Sequence, residues 1–339
     1  MSSADVHGKF LWHELATTDP SAATAFYSKV LGWKAQPWDK DPTYTVWMAA
    51  KGPAGGAMKL PADASGGPSW VAYIGVRDIR ATVDAAQRLG GRVVVGVTQI
   101  GNENAHYAVL ADPQGGVFGV HAPAGGGGGA GGEFSWHELA TSDYAAAQRF
   151  YFELFGWREL ATHDMGPDGK YALLGVGSTQ YGGMFNRPGH MPGSFPHWLS
   201  YVSVASASKA AEAAKASGGR VLNGPMQVPG GGWIAQLLDA QGAAIAVHEA
   251  PATAAAPPPK AAKPAAPKAS AAKPAAAPKP APAKAKAAAK KKAAPKKKAA
   301  KKAKPARKKA AAKRKSAARR AAPRRKAAKK KRSAARRKK

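Results

Sequence analysis

Apolar positions along this chain repeat with two different periods, and the periods alternate in a fixed order. From Phe10 to Ala16 large and branched side chains run without a breaker, the signature of a strand. Asp19 followed by Pro20 then supplies a helix N-cap and first turn, Ala22, Phe26 and Val30 recur every four residues, and Gly32 ends the helix. Three short strands are expected next, over 33–38, 44–49 and 56–60. The order then restarts with a strand over 70–76, a helix opened by Asp78 and running through Val83 and Leu89, a stop at Gly90-Gly91, and strands over 92–97 and 106–110. A tight reversal, Asp112-Pro113-Gln114-Gly115, leads into a closing strand over 117–121. Each β-α-β-β-β unit presents one apolar sheet face that it cannot cover alone, so two units are expected to pair into one domain.

The plan is used twice. Phe10-Leu11-Trp12-His13-Glu14-Leu15-Ala16, Phe26-Tyr27 and Leu31-Gly32-Trp33 return as Phe134-Ser135-Trp136-His137-Glu138-Leu139-Ala140, Phe150-Tyr151 and Phe155-Gly156-Trp157, at a constant offset of 124 residues. The second copy continues with strands around Trp157 and over 171–176, 182–185 and 197–204, a helix over 207–216, the stop Gly218-Gly219, strands over 220–222 and 233–238, the turn Asp239-Ala240-Gln241-Gly242, and a last strand over 243–248. The expected organisation is a first domain over 1–123, a Gly-rich linker over 124–132, a second domain over 133–250 and a tail over 251–339.

Charge separates the tail from everything before it. The net charge is +32, yet residues 251–339 hold 35 of the 52 Lys and Arg and neither Asp nor Glu, leaving 17 basic against 20 acidic side chains in residues 1–250. Every Trp, Phe and Tyr also lies in residues 1–250, so only that part can bury a core. The absence of Cys excludes disulfides, thiolate metal sites and a Cys nucleophile. With no basic start followed by an apolar run and no apolar stretch of membrane-spanning length, a cytoplasmic location is expected.

The ordered set of strand, Asp, helix with Phe-Tyr, Leu-Gly-Trp, Gly-Gly-Arg-Val and Asp-Pro-x-Gly-Gly-x-Phe resembles the vicinal oxygen chelate superfamily, which includes glyoxalase I, bleomycin-resistance proteins and extradiol dioxygenases. The resemblance spans nearly all of residues 9 to 250 and implies an α+β fold of two glyoxalase-like domains. It also implies a divalent metal held by His and Glu in each domain. Counting to the matching positions gives Trp12, Val71, Trp136 and Leu199 where a His would stand, and Gly119 and Ala246 where a Glu would stand; the neighbourhood of Met58 and Met184 offers no carboxylate either. A metal is therefore not expected at the usual positions, the cofactor is unknown, and lyase or dioxygenase chemistry would need an atypical ligand set.

Alternation along the first strand of each copy puts Trp12, Glu14 and Ala16 on one face. Turning the strand by one residue would bring His13 into the cleft but would bury Glu14 under a helix, which costs several kcal/mol or forces protonation. The favoured register thus has Trp12 and Glu14 facing the cleft and His13 and His137 hydrogen-bonded beneath the helix. By the same parity Tyr73 and His121 face the first cleft, and Trp136, Glu138, Tyr201 and His248 repeat the set. Trp12, Tyr73, Trp136 and Tyr201 are the candidate ligand-binding residues; Glu14, Glu138, His121 and His248 could transfer protons. His106, His163, His190 and His197 share no metal-ligand spacing and are expected on the surface or in turns. Gly125 to Gly129 lacks the context of a phosphate loop, and Asp112 and Asp239 read as turn residues.

The tail is Ala, Lys, Pro and Arg without aromatic, Leu, Ile or Val, a composition expected to be disordered and similar to the tails of histone H1 and of bacterial histone-like proteins. Its clusters include Lys296, Lys297, Lys298, Arg307, Arg314, Arg319, Arg320, Arg324, Arg325, Arg336 and Arg337. Thirty-five cations could neutralise on the order of 60 Å of duplex. Without Asn, Gln or a fixed frame, such a chain grips phosphates and reads no bases. Non-specific binding to DNA or RNA is expected, with nucleoid association if the source is bacterial, and no membrane insertion. The chemistry of residues 1–250 admits a small-molecule binding protein, an enzyme working through Glu and His, or a protein that sequesters a planar toxic compound.

Overall fold

The computed structural model describes residues 6–251 except 63, 65, 102–103, 125–132 and 189–194. The Gly-rich linker, His190 and the basic tail beyond Pro251 lie outside the described residues. Within them the first copy forms β1 (Phe10–Thr17), α1 (Pro20–Leu31), β2 (Lys34–Trp38), β3 (Asp41–Ala49), β4 (Gly52–Lys59), β5 (Ser69–Gly75), α2 (Ile79–Arg88), β6 (Arg92–Gln99), β7 (His106–Ala111) and β8 (Val117–Ala122). The second forms β9 (Phe134–Thr141), α3 (Tyr144–Phe155), β10 (Arg158–Asp164), β11 (Lys170–Val176), β12 (Thr179–Asn186), β13 (His197–Ser203), α4 (Ala207–Ala216), β14 (Arg220–Gln227), β15 (Trp233–Leu238) and β16 (Ala244–Glu249). Each copy is thus α+β, as its periodicity indicates.

Local chemistry sets the helix ends. Asp19, Asp78, Asp143 and Ser206 cap the four helices, each side chain accepting from the backbone N–H three residues on. Gly32 and Gly156 close α1 and α3 at φ of 71° and 66°, in the left-handed region that a Cβ disfavours. Trp33 and Trp157 precede the strands expected to hold them and are buried instead, at 3% and 2% exposure.

Each copy contributes one eight-stranded sheet, ordered β2-β3-β4-β1-β5-β8-β7-β6 and β10-β11-β12-β9-β13-β16-β15-β14. The two modules of a copy therefore meet edge to edge, through antiparallel pairing of β1 with β5 and of β9 with β13. Their helix-bearing faces are not covered within the copy. One core joins Leu15, Phe26, Tyr27, Trp33 and Trp70 to Val202, Ala210, Ala214, Leu237 and Ile245. The other joins Ile74, Val83, Leu110 and Phe118 to Leu139, Phe150, Tyr151, Phe155 and Trp198. Pairing of modules within a domain is thus correct for the sheet and incorrect for the core: an edge-to-edge pair leaves both helix layers on one open face, and only the other copy brings a matching apolar layer.

The shared motifs make this exchange specific. The Tyr27 hydroxyl donates to Asp239 Oδ2 at 2.9 Å and accepts from Trp70 Nε1 at 2.8 Å; Tyr151 donates to Asp112 Oδ2 at 2.9 Å and accepts from Trp198 Nε1 at 2.9 Å. The other oxygen of each Asp ties its own turn, accepting from the N–H groups of Gln114 and Gly116 or of Gln241 and Ala243. Beside them, a Cβ built on Gly91 or Gly219 would come within 3.0 Å or 2.7 Å of the ring of Phe150 or Phe26 from the opposite copy. Asp112 and Asp239 are therefore turn residues, and are also the acceptors of the bonds between the copies.

Between the two cores the first strands meet. His13 Nε2 lies 2.7 Å from His137 Nε2, His13 stacks on Phe134 at 3.5 Å, and His137 stacks on Phe10 at 3.6 Å. His137 Nδ1 faces the Tyr181 carbonyl at 3.2 Å and must carry the proton there, which leaves its Nε2 as acceptor and makes His13 Nε2–H the donor. These histidines are buried, as the favoured register requires, with each as the other's partner. Burial pushes His13 well below its usual pKa, helped by His137, and pushes His137 down to about 3.

Two predictions follow from this junction. Tyr27→Phe or Tyr151→Phe leaves an Asp oxygen and an indole N–H buried without a partner, and should lower the free energy of unfolding by about 1–3 kcal/mol in urea titrations. Unfolded imidazoles titrate near 6.5, so between that pH and about 3 the unfolded chain binds more protons than the folded one. Stability should be complete above pH 6.5 and decline as pH falls, each imidazole adding a slope of up to about 1.4 kcal/mol per pH unit. His137→Gln should flatten the measured slope between pH 6.5 and 4.5 relative to the parent chain.

Candidate functional site

The face of each sheet that looks away from the other copy carries the chemistry. Along β1 burial alternates, with Leu11, His13, Leu15 and Thr17 buried and Phe10, Trp12, Glu14 and Ala16 partly open. Glu14 stands beside Gly56 of β4 on one side and Val71 of β5 on the other, and Trp12 stands opposite Tyr73. Both carboxylate oxygens are used: the Tyr44 hydroxyl donates to Oε2 at 2.9 Å and the Tyr73 hydroxyl to Oε1 at 2.9 Å. Trp12 Nε1 donates in turn to the Tyr44 hydroxyl at 3.0 Å. All the donors point toward the charge.

The second copy repeats the cluster. Tyr201 donates to Glu138 Oε2 at 2.7 Å, Trp136 Nε1 donates to the Tyr171 hydroxyl at 2.8 Å, and the Tyr171 phenol bears on the same carboxylate. Gln236 Nε2 adds a bond to the Tyr201 hydroxyl at 3.0 Å. Trp12, Glu14 and Tyr73 are thus brought together, as are Trp136, Glu138 and Tyr201, by a phenol from β3 or β11 that sequence reasoning did not single out.

His121 lies on β8 opposite Tyr107 and two residues from Gly119, while the oxygens of Glu14 are engaged by phenols. His248 Nδ1 is 3.1 Å from Ser135 Oγ, at the start of β9, and burial lowers its pKa. His197 opens β13, the strand expected over 197–204, and its interaction with Glu138 opposes the rise that burial causes there.

Glycines make room for the phenols. A Cβ on Gly56 would fall 2.0 Å from the Tyr44 hydroxyl oxygen, one on Gly183 2.1 Å from that of Tyr171, and one on Gly119 2.2 Å from the Tyr73 ring. The neighbouring Gly55 and Gly182 let the strand approach the carbonyls of His13 and His137, at 2.4 Å and 2.3 Å from an added Cβ. A doubled glycine inside a strand, present in both copies, is the sequence signal of these close approaches. It also corrects one alignment: Met58 lies beside Ala16, whereas Met184 lies beside Leu139 and is fully buried, so Gly56 and Gly183 are the matched cleft positions.

Electrostatically the cluster is a carboxylate in a dry setting. Burial raises the pKa of Glu14 and Glu138, and the phenol hydrogen bonds oppose that rise. Phenols are protonated at neutral pH, and burial and the adjacent carboxylate push Tyr44, Tyr73, Tyr171 and Tyr201 further above their usual range, so all four remain donors. Tyr107 is raised too, by burial and then by the charge of Glu14. Among the described residues no three His, Asp or Glu side chains are grouped to hold a metal ion.

Comparison with known proteins matches residues 12–121 to the glyoxalase-like domain and residues 134–247 to the glyoxalase/bleomycin resistance protein/dioxygenase superfamily. The chain belongs to this superfamily. "Putative glyoxylase CFP32" of Mycobacterium tuberculosis is 31% identical over 248 residues, covering 70% of this chain and 92% of its own. Anthracycline biosynthesis protein DauV of Streptomyces sp. is 29% identical over 262 residues, covering 70% of this chain and 92% of its own. The Mn(II)-bound glyoxalase of Novosphingobium aromaticivorans has a TM-score of 0.51 at 14% identity, over 72% of this chain and 82% of its own. The 2,3-dioxygenase LapB of Pseudomonas sp. KL28 has a TM-score of 0.51 at 13% identity, over 73% and 94%. The structural likenesses establish the two-domain glyoxalase fold and nothing of the chemistry.

Crowding at the glycines is directly testable. Gly56→Ala or Gly183→Ala drives a methyl group into a phenol and should cost about 1–3 kcal/mol in thermal or denaturant unfolding. Gly66→Ala, where an added Cβ meets nothing within 4 Å, should be close to neutral.

Proposed function

We propose that this protein binds a small organic molecule in its glyoxalase-like clefts, without a divalent metal at the usual family positions, and is tethered non-specifically to DNA or RNA by its polycationic tail. The observation that carries the binding reading is the phenol-clamped carboxylate, built twice from the same residue types and left partly open on the outer face of each sheet. A carboxylate this buried is costly unless it serves something, and aromatic walls around one oriented polar group are what a small-molecule site requires. Against a metal stand the residues themselves: Trp12, Val71, Trp136 and Leu199 offer no ligand, and the space over Gly119 is taken by the Tyr73 ring. Protonated phenols donate to the carboxylates instead of offering a metal lone pairs.

A second reading is an enzyme of this superfamily that works without metal. Burial moves the acidity of Glu14 toward the range useful to a general base, with His121 on the same sheet face as a further proton carrier. The name of the mycobacterial relative points to glyoxylase chemistry, and that of the Streptomyces relative to anthracycline biosynthesis. A sequestering resistance protein would use the same clefts without turnover.

The tail reading rests on charge. A tether of this kind would concentrate the clefts near nucleic acid without selecting a sequence. Retention of duplex DNA by the full chain should be strong at 50 mM salt and fall roughly 10³ to 10⁵ fold by 200 mM if six to ten phosphates are engaged. Deleting residues 251–339 should abolish retention at low salt; unchanged retention would sink the tether. Elemental analysis of the purified chain should find no stoichiometric divalent metal, and finding one would favour the enzyme reading.

A further inference from the structure

The geometry points to the ligand's chemical class: each cleft is built for a small organic cation, an amine on a flat apolar body, with the ammonium against Glu14 or Glu138 and the body between the aromatic walls. This rests on the small-molecule reading above and narrows it.

The first ground is charge. The groups acting on Glu14 are its own burial and the hydroxyls of Tyr44 and Tyr73, all neutral, which makes the first cleft the stronger case; Glu138 has matching phenols with His197 in addition. Phenols orient the carboxylate but do not neutralise it. A carboxylate offers about four acceptor positions, and the two phenol bonds leave room for ligand N–H groups. An anionic ligand would meet like charge, and a neutral one would displace water from the carboxylate without replacing its charge compensation. A cation does replace it.

The second ground is the walls. Tyr73 and Tyr107 meet at 71° with ring centroids 6.1 Å apart, and Trp38 and Tyr44 meet at 65° and 6.0 Å. The hydroxyl edges of Tyr44 and Tyr73 point at the carboxylate, and Trp12, Trp38 and Tyr107, each set against one of these two phenols, supply ring surface beside it for an apolar body. In the second cleft Tyr171 and Phe185 are stacked instead, at 22° and 5.9 Å, on the strand pair beside Glu138. Trp38 already takes a cation on its ring, since Lys40 Nζ lies 5.7 Å from the Trp38 ring centroid. Trp12, Glu14, Tyr44 and Tyr107 are each partly exposed, so the cluster borders solvent although the carboxylate itself is largely desolvated.

The test uses the full chain and three probes of one shape: phenethylamine, 2-phenylethanol and phenylacetate, titrated at pH 8 against tryptophan fluorescence. All 9 Trp lie in residues 1–250, so the signal reads the folded part, with Trp12, Trp38 and Trp136 at the clefts, and not the polycationic tail. The amine should bind at least tenfold more tightly than the alcohol, with phenylacetate weakest. In Glu14→Gln/Glu138→Gln the ratio of amine to alcohol affinity should fall to within about threefold. Equal affinity of amine and alcohol for the parent chain would overturn the cation assignment and leave the binding reading standing. Failure of all three probes to perturb the fluorescence would remove both. Retained preference for the amine in the double variant would overturn the assignment to these carboxylates, and a melting curve checks that the variant is folded; if it is not, the ranking on the parent chain decides.

Discussion

Burial of each copy's helix layer against the other copy is the constraint on which the rest of the structure depends. A module's helix lies on the same sheet face as its neighbour's, so a single copy would leave Phe26, Tyr27, Trp33 and their counterparts facing water. Complete burial of one such side chain is worth roughly 1.5–3 kcal/mol, and each core contains several. Apolar layers slide easily, however, and the hydroxyl of Tyr27 or Tyr151 removes that freedom. It reaches an Asp that is already committed to its own turn, so the strand order of one copy is fixed relative to the helix of the other. The same Phe-Tyr pair, glycine pair and turn Asp that mark the duplication in the sequence are the parts of this joint.

Because β1 and β9 lie at the centre of both sheets, the joint and the cleft share one strand. Odd positions of β1 give Leu11, His13 and Leu15 to the buried side, and even positions give Trp12 and Glu14 to the open side. A shift of one residue would exchange a neutral imidazole for a carboxylate in the driest part of the molecule. The stacked histidines and the clamped glutamates are thus two outcomes of one alternation, and packing on the inner face holds the outer face still. A preorganised polar group on a rigid strand is the arrangement that precise recognition demands.

Much of this was legible in the sequence. The elements follow from periodicity and capping residues, the duplication from a constant offset, and the orientation of Glu14 from the cost of burying an unpaired carboxylate. What stayed hidden depends on contacts between distant segments. Tyr44 and Tyr171 are ordinary strand residues until the doubled glycines beside them are recognised as space for a ring. Asp112 and Asp239 look complete as turn residues, because the turn uses only one of the two oxygens. The origin of the layer that covers a helix cannot be read from amphipathicity, which says that a face is buried and not by what; hence pairing within a domain was the natural expectation and exchange between copies is what occurs. His197 was missed for a related reason, since nothing local ties it to Glu138.

The two clefts differ where they are not clamped. Register aligns Tyr107 with Ile234, each opposite the His of the closing strand, and Val109 with Gln236, opposite Gly119 and Ala246. In the first copy the polar group of this strand is a phenol at the outer position; in the second it is an amide two residues inward, bonded to Tyr201. His197 adds its influence to Glu138, and burial and phenols alone act on Glu14. Duplication has therefore kept the indole, the two phenols and the carboxylate while moving the polar groups around them. Parts retained together in both copies define what the clefts have in common, the grip on one polar head, and the parts that moved set which body each cleft accepts behind it.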